Sequence, residues 1–172
     1  VAAIAHSKGA LGSYWKSSLA MVNQSNSTQT ALLRYQADPG RDGLISQSIE
    51  RSVAISPGHQ MTWEDILVEL FGLAPISAGQ GALHVFSPQG LMITSRTYTT
   101  RQQGGTYGLS LPALKSGDLV TVGGKAGRLV GLHHSGNTRT NIGISEYADR
   151  SSGVELWFFD AEQGIRDLGL VR

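Results

Sequence analysis

Apolar and polar positions along this chain alternate far more often than they recur at helical spacing. Leu19 and Met21 fall on one side of an extended segment while Ser18 and Ala20 fall on the other, and Ala31, Leu33 and Tyr35 alternate with Leu32, Arg34 and Gln36. Successive side chains of a strand point to opposite faces, so this period of two reads as half-buried strands. The polar stretch Gln24-Ser25-Asn26-Ser27-Thr28 between them predicts a turn and hence a hairpin. A second turn-rich break, Asp38-Pro39-Gly40-Arg41-Asp42-Gly43, precedes a strand marked by Ile49, Val53 and Ile55. Further strands are predicted at 81–86 and 91–98, in the segment holding Tyr107, Leu109 and Leu111, and at 119–122 and 128–132. Many short strands punctuated by turn residues predict an all-β, antiparallel sandwich.

One segment breaks the alternation. Trp63, Ile66, Leu67, Leu70 and Phe71 share a face at helical spacing, and Thr62 followed by Asp65 has the form of a capping box. With Gly72 as a stop, this predicts one short helix over 63–71 that plugs an end or edge of the sheets.

The pattern also repeats. Lys16-Ser17-Ser18-Leu19-Ala20-Met21 aligns without a gap with Arg139-Thr140-Asn141-Ile142-Gly143-Ile144, and at the same offset of 123 (142 − 19) Ala31, Leu33 and Tyr35 meet Val154, Leu156 and Phe158. This predicts a β-sandwich repeat unit over 1–132 and a partial second unit, a strand pair, over 133–172. Trp157, Phe158 and Phe159 are costly to leave in water, so the second pair is expected to close or pack on the first unit, or else to expose an edge that joins another chain.

Composition narrows the function classes. Lys+Arg 14 against Asp+Glu 13 gives a net charge of +1 with no basic stripe, which argues against nucleic acid as a partner. Cysteine is absent, so disulfides and thiolate metal sites are excluded. No apolar run approaches the ~20 residues of a membrane span. Val1 is not an initiator Met and the first residues lack a basic signal-peptide start, so a mature or excised fragment is expected.

Candidate chemistry is sparse. Adjacent His133 and His134 would face opposite sides of a strand and would need a distant group such as His6 to hold an ion; no metal site and no cofactor is expected. No Gly-x-Ser-x-Gly elbow is present, and no catalytic residues are assigned. Glu64, Asp65 and Glu69 decorate a helix whose other face is core, and the helix dipole explains Glu64 and Asp65 without paired-carboxylate glycosidase chemistry, while turn formation explains Asp38 and Asp42 rather than calcium. Gly104-Gly105-Thr106-Tyr107-Gly108 lacks the Lys and following helix of a phosphate loop and reads as a tight hairpin or bulge. The remaining candidates are Trp15, Arg96, Tyr98, Arg101 and Tyr107, aromatic and Arg residues on strands or on the polar stretch 97–105, types that anchor protein interfaces or stack on sugar rings.

Gly12-Ser13-Tyr14-Trp15-Lys16-Ser17-Ser18-Leu19, Ile66-Leu67-Val68-Glu69-Leu70-Phe71-Gly72-Leu73, Thr94-Ser95-Arg96-Thr97-Tyr98, Gly105-Thr106-Tyr107-Gly108 and Leu111-Pro112-Ala113 occur in that order. Together they resemble a poorly characterised family of immunoglobulin-like β-sandwich repeats attached to secreted bacterial proteins, over residues 1–163. The resemblance implies an extracellular or periplasmic location and a non-catalytic accessory role, and it carries over no functional residues. The expected function is therefore an accessory or structural module that engages a protein partner, as a monomer or an edge-paired dimer. A carbohydrate-binding module with a glycan partner and a small secreted hydrolase are the alternatives.

Overall fold

The structure, a computed structural model, describes residues 1, 3–9, 12–38, 48–74, 78–87, 90–100, 104–121, 123–124, 126–133, 140, 142–145, 147, 153–160 and 164–171. The strands are β1 (Ile4–Lys8), β2 (Tyr14–Asn23), β3 (Gln29–Ala37), β4 (Ser48–Ile55), β5 (Gln60–Trp63), β6 (Gly79–Phe86), β7 (Leu91–Thr100), β8 (Thr106–Pro112), β9 (Val154–Asp160) and β10 (Gly164–Val171), with one helix, α1 (Ile66–Glu69), and a 3-10 turn at Ser116–Asp118. Every described pairing is antiparallel. The all-β antiparallel architecture with one short helix is thus the one the alternation predicts.

Eight strands form one sheet in the order β4-β3-β6-β1-β2-β7-β8, with β5 beside β2, while β9 and β10 pair with each other. β1 is the joint of the larger sheet. Its residues Ile4–His6 pair with Gly81–Gly79 of β6, and His6–Lys8 pair with Lys16–Tyr14 of β2. Farther along the same edge of β2, β5 takes over at Leu19↔Trp63. Between the two neighbours the Ser17 hydroxyl accepts from the Ala5 amide at 2.8 Å, supplying the bond the ladder skips.

The alternating positions build the core. Ala31, Leu33 and Tyr35 of β3 are buried with Val53 and Ile55 of β4, Leu83 of β6, Leu19 and Met21 of β2, Trp63 of β5 and Ile66, Leu67 and Phe71 from the helical turn. Strands on both sides of β1 therefore cover one apolar centre, an arrangement consistent with a sandwich-like fold in which a corner strand serves both halves. Tight backbone approach accompanies that corner. A Cβ on Gly81 would lie 2.0 Å from the Gln36 carbonyl oxygen, so this position between β3 and β1 takes glycine.

Several expectations are revised. β2 and β3 do not form a hairpin: β2 pairs with β1, β5 and β7, and β3 with β4 and β6. The polar stretch after β2 is instead a crossing between the two halves, held by buried Asn23, whose amide donates to the Ser27 and Ile55 carbonyls and whose oxygen accepts from the Ser25 amide and hydroxyl. The helix is shorter than 63–71, because Trp63 is drawn into the ladder opposite Leu19. Its N-cap is Asp65 rather than Thr62, with no side-chain cap; Glu69 reaches back to the Glu64 and Asp65 amides.

The described residues of 119–122 and 128–132 are not strands, and Leu129 and Val130 are exposed. The described residues of 139–144 are likewise not a strand, and the partner of β9 is β10, which the alternation did not mark. Tyr147 lies over His84 and Phe86 of β6, with ring centroids 5.5 and 6.2 Å away.

Candidate functional site

The pairing of β2, β7 and β8 sorts the candidate residues by face. Trp15↔Thr99 and Thr99↔Tyr107 form one cross-strand row, whereas Lys16↔Tyr98 and Ser18↔Arg96 belong to the rows that point the other way. The five candidates therefore make no single patch. Trp15 and Tyr107 meet edge to face at 5.7 Å, on a face where Tyr107 is 43% exposed. Arg96 and Tyr98 stand on the opposite face, and Arg101 lies outside the described residues.

Tyr98 departs most from expectation, being only 6% exposed. Its ring is flanked by the Lys16 ammonium at 5.1 Å and the Arg96 guanidinium at 4.9 Å, and its hydroxyl donates to Glu64 at 2.7 Å. Arg96 is held in turn by a bond to the Thr106 hydroxyl at 2.8 Å. A ring enclosed by two cations has no open face for a sugar. Burial pushes the Tyr98 phenol up from its ordinary range and its bond to Glu64 acts in the same direction, while Lys16 beside it opposes the rise. The Lys16 ammonium is also raised, first by its hydrogen bond to Tyr98 and then by the nearby Tyr98, Glu64 and Asp65 charges.

Next to this cluster, the outer face of β5, β2, β7 and β8 forms an open groove of about 220 Å³. Ser18, Thr62, Thr94 and Ser110 bring hydroxyls to it, and Glu64 and Arg96 bring one charge of each sign. Leu19, Ala20 and Trp63 also border it, with Leu19 and Trp63 themselves buried, so the groove chiefly offers hydrogen bonds to a polar chain.

Spacing along the sequence did not reveal the most closely coupled polar group. His6 is 3% exposed; its Nδ1 donates to Asp65 Oδ2 at 2.6 Å, and its Nε2 lies 2.7 Å from the Tyr14 hydroxyl. Asp65 has thereby given up its capping role, and its second oxygen is buried without a hydrogen-bond partner among the described residues. Acid, imidazole and hydroxyl stand in the order of a nucleophilic triad, yet the phenol bonds the ring from inside an edge-to-face contact at 5.0 Å. The arrangement ties β1, β2 and the start of α1 together. The alternation of His6 with buried Ile4 was a signal for its inward face; Asp65, 59 residues away, had none.

The other polar candidates stay apart. His133 is exposed and bonds Thr140 through its backbone, His134 and Asp42 lie outside the described residues, and Asp38 accepts from Gln80 at 3.0 Å. Both ring nitrogens of His6 are engaged, so it offers no lone pair to an ion shared with His133. Gly104 and Gly105 adopt φ of 87° and 80° in the turn closed by Thr100↔Thr106, the hairpin role their spacing predicted. Compared with known protein families, with characterised proteins and with solved structures, the chain matches none.

Proposed function

We propose that this chain is a non-catalytic accessory module of a secreted bacterial protein, working in the extracellular space or periplasm, which spaces or docks its host through protein contacts. The observation that carries this reading is the last strand of the sheet. β8 ends the strand order and presents Tyr107 and Leu109, the latter 62% exposed, beside Trp15 on one face. Edge strands with alternating apolar side chains recruit extended partner segments through main-chain bonds, with the side chains giving selectivity. The polar clusters, by contrast, spend their hydrogen bonds within the fold, as in Tyr98 to Glu64 and His6 to Asp65.

One half of the repeat expected from the sequence is compatible with the modular reading: adding 123 to the bounds of β3 gives 152–160, and β9 occupies Val154–Asp160, whereas the described residues of the other half, 139–144, are not a strand. The exposed edge-to-face pair of Trp15 and Tyr107 favours a second reading, recognition of a glycan. One comparison separates these readings from a hydrolase. Wild type and a Tyr107→Ala, Leu109→Ser variant are immobilised against the secreted proteins of a bacterial host and titrated with polysaccharides while Trp fluorescence is followed. A specific protein captured by wild type and lost in the variant is expected. A fluorescence change with polysaccharide selects the glycan reading, and turnover of ester or peptide substrates contradicts both.

A further inference from the structure

β6 carries apolar and aromatic residues on its outer face as well as toward the core. Leu83 and Val85 pair with Tyr35 and Leu33 and pack with the core, so His84 and Phe86, opposite Arg34 and Leu32, face the other way. Ala82 shares that outward face, opposite Gln36. It lies outside the core cluster yet is only 8% exposed, and the His84 Nε2 atom is closed off from solvent. Cover therefore reaches this face from beyond the core.

Tyr147 supplies the described part of that cover. It stands between β8, which ends at Pro112, and β9, which begins at Val154. Its ring centroid lies 5.5 Å from that of His84 and 6.2 Å from that of Phe86, tilted by 47° and 34°. The Arg34 guanidinium sits 5.1 Å from the Phe86 centroid, and its Nε donates to Glu50 at 2.7 Å, so the seat has a fixed cationic wall. The hold on Tyr147 is nevertheless light, because the residue remains 49% exposed and its contact with Phe86 is toward the far end of the range over which rings attract.

We propose that Tyr147 is a latch: it fastens the chain between β8 and β9 to the outer face of β6, and on opening it uncovers Leu32, Ala82 and Phe86 beside Arg34. Ring contacts of this kind shift an equilibrium by a factor of about two to ten, and a half-exposed ring belongs at the low end. Such a latch opens locally, within the folded state, and leaves the core in place. The inference stands apart from the docking edge at β8, since it concerns another strand and another segment.

The test uses the full chain. Trypsin cleavage after Arg139 and Arg150, the nearest basic residues on either side of Tyr147, reads the open population when opening and closing are fast relative to cutting. Tyr147→Ala is expected to be cut about two- to fivefold faster at both sites. Tyr147→Phe, which keeps the ring, is expected to be cut at the wild-type rate. Adding Phe86→Ala to Tyr147→Ala is expected to bring no further acceleration, because the two residues act through one contact. In solution NMR, wild type is expected to show ring-proton cross-relaxation from Tyr147 to His84 and Phe86, and the His84 ring signals are expected to move in Tyr147→Ala. Unchanged cleavage in Tyr147→Ala, unmoved His84 signals, or acceleration by Tyr147→Phe would each overturn the proposal. Loss of amide protection throughout β1–β8 in Tyr147→Ala would make the residue part of the fold and overturn it as well. None of these outcomes touches the docking reading, which capture through Tyr107 and Leu109 tests separately.

Discussion

Tyr98, Lys16 and Tyr35 tie stability to alkaline pH. Burial raises both phenols, with Asp38 adding to the effect at Tyr35, and the bond to Tyr98 raises the Lys16 ammonium. A group whose folded pKa lies above its unfolded value binds its proton more tightly in the folded state, so folding is favoured while the proton is on. All three contributions are therefore complete below the ordinary values of 10.0 for Tyr and 10.5 for Lys, and are lost as pH rises through the raised folded values. The urea midpoint should hold level toward pH 10 and fall beyond it, and Tyr98→Phe should make that fall shallower. A midpoint that stays level across the same range would contradict the assignment. Lys16 is partly exposed and its 4.0 Å pairing with Glu64 is screened by solvent, so the two phenols carry most of the effect.

At the scale of elements, the crossing after β2 matters more than its sequence advertised. Asn23 satisfies two carbonyls and two donors from within the protein, and Asn23→Ala would strand the buried Ile55 carbonyl. A loss of about 1–3 kcal/mol is expected, measured by urea unfolding; a change within error would show that water replaces the amide there. Polar alternation made β2, β3, β4, β6 and β7 legible, because each sets one face against the core; β8 alternates too, although its residues are largely exposed. What alternation cannot carry is partner choice. A polar stretch such as 24–28 reads equally as a hairpin turn or a crossing, and the decision lies in contacts with Ile55 and His59 far along the chain. Trp63 was misread for the same reason: its spacing to Ile66 and Leu67 is helical, yet its backbone finds a ladder partner in Leu19. The candidate site suffered most. The two-residue spacing of Arg96 and Tyr98 puts them on one face of β7, but it could not tell that Lys16 and Glu64 arrive to enclose the ring.

For the molecule as a whole, the apolar core formed by the residues whose burial is described is local to the first part of the chain. Every buried member of it lies between Ile4 and Phe71 or at Leu83, and the half-buried residues packed against it end at Ile93. The pairings of β9 and β10 are with each other, and Tyr147 against β6 is the described ring contact made from beyond β8. The central claim is that β1–β8 form a self-sufficient unit whose core does not need the β9–β10 hairpin. Urea unfolding of residues 1–118 beside the full chain tests this most directly. The account predicts a soluble β protein with one cooperative transition at the same midpoint. An aggregated or non-cooperative 1–118 would contradict it and assign the closing of the core to the hairpin.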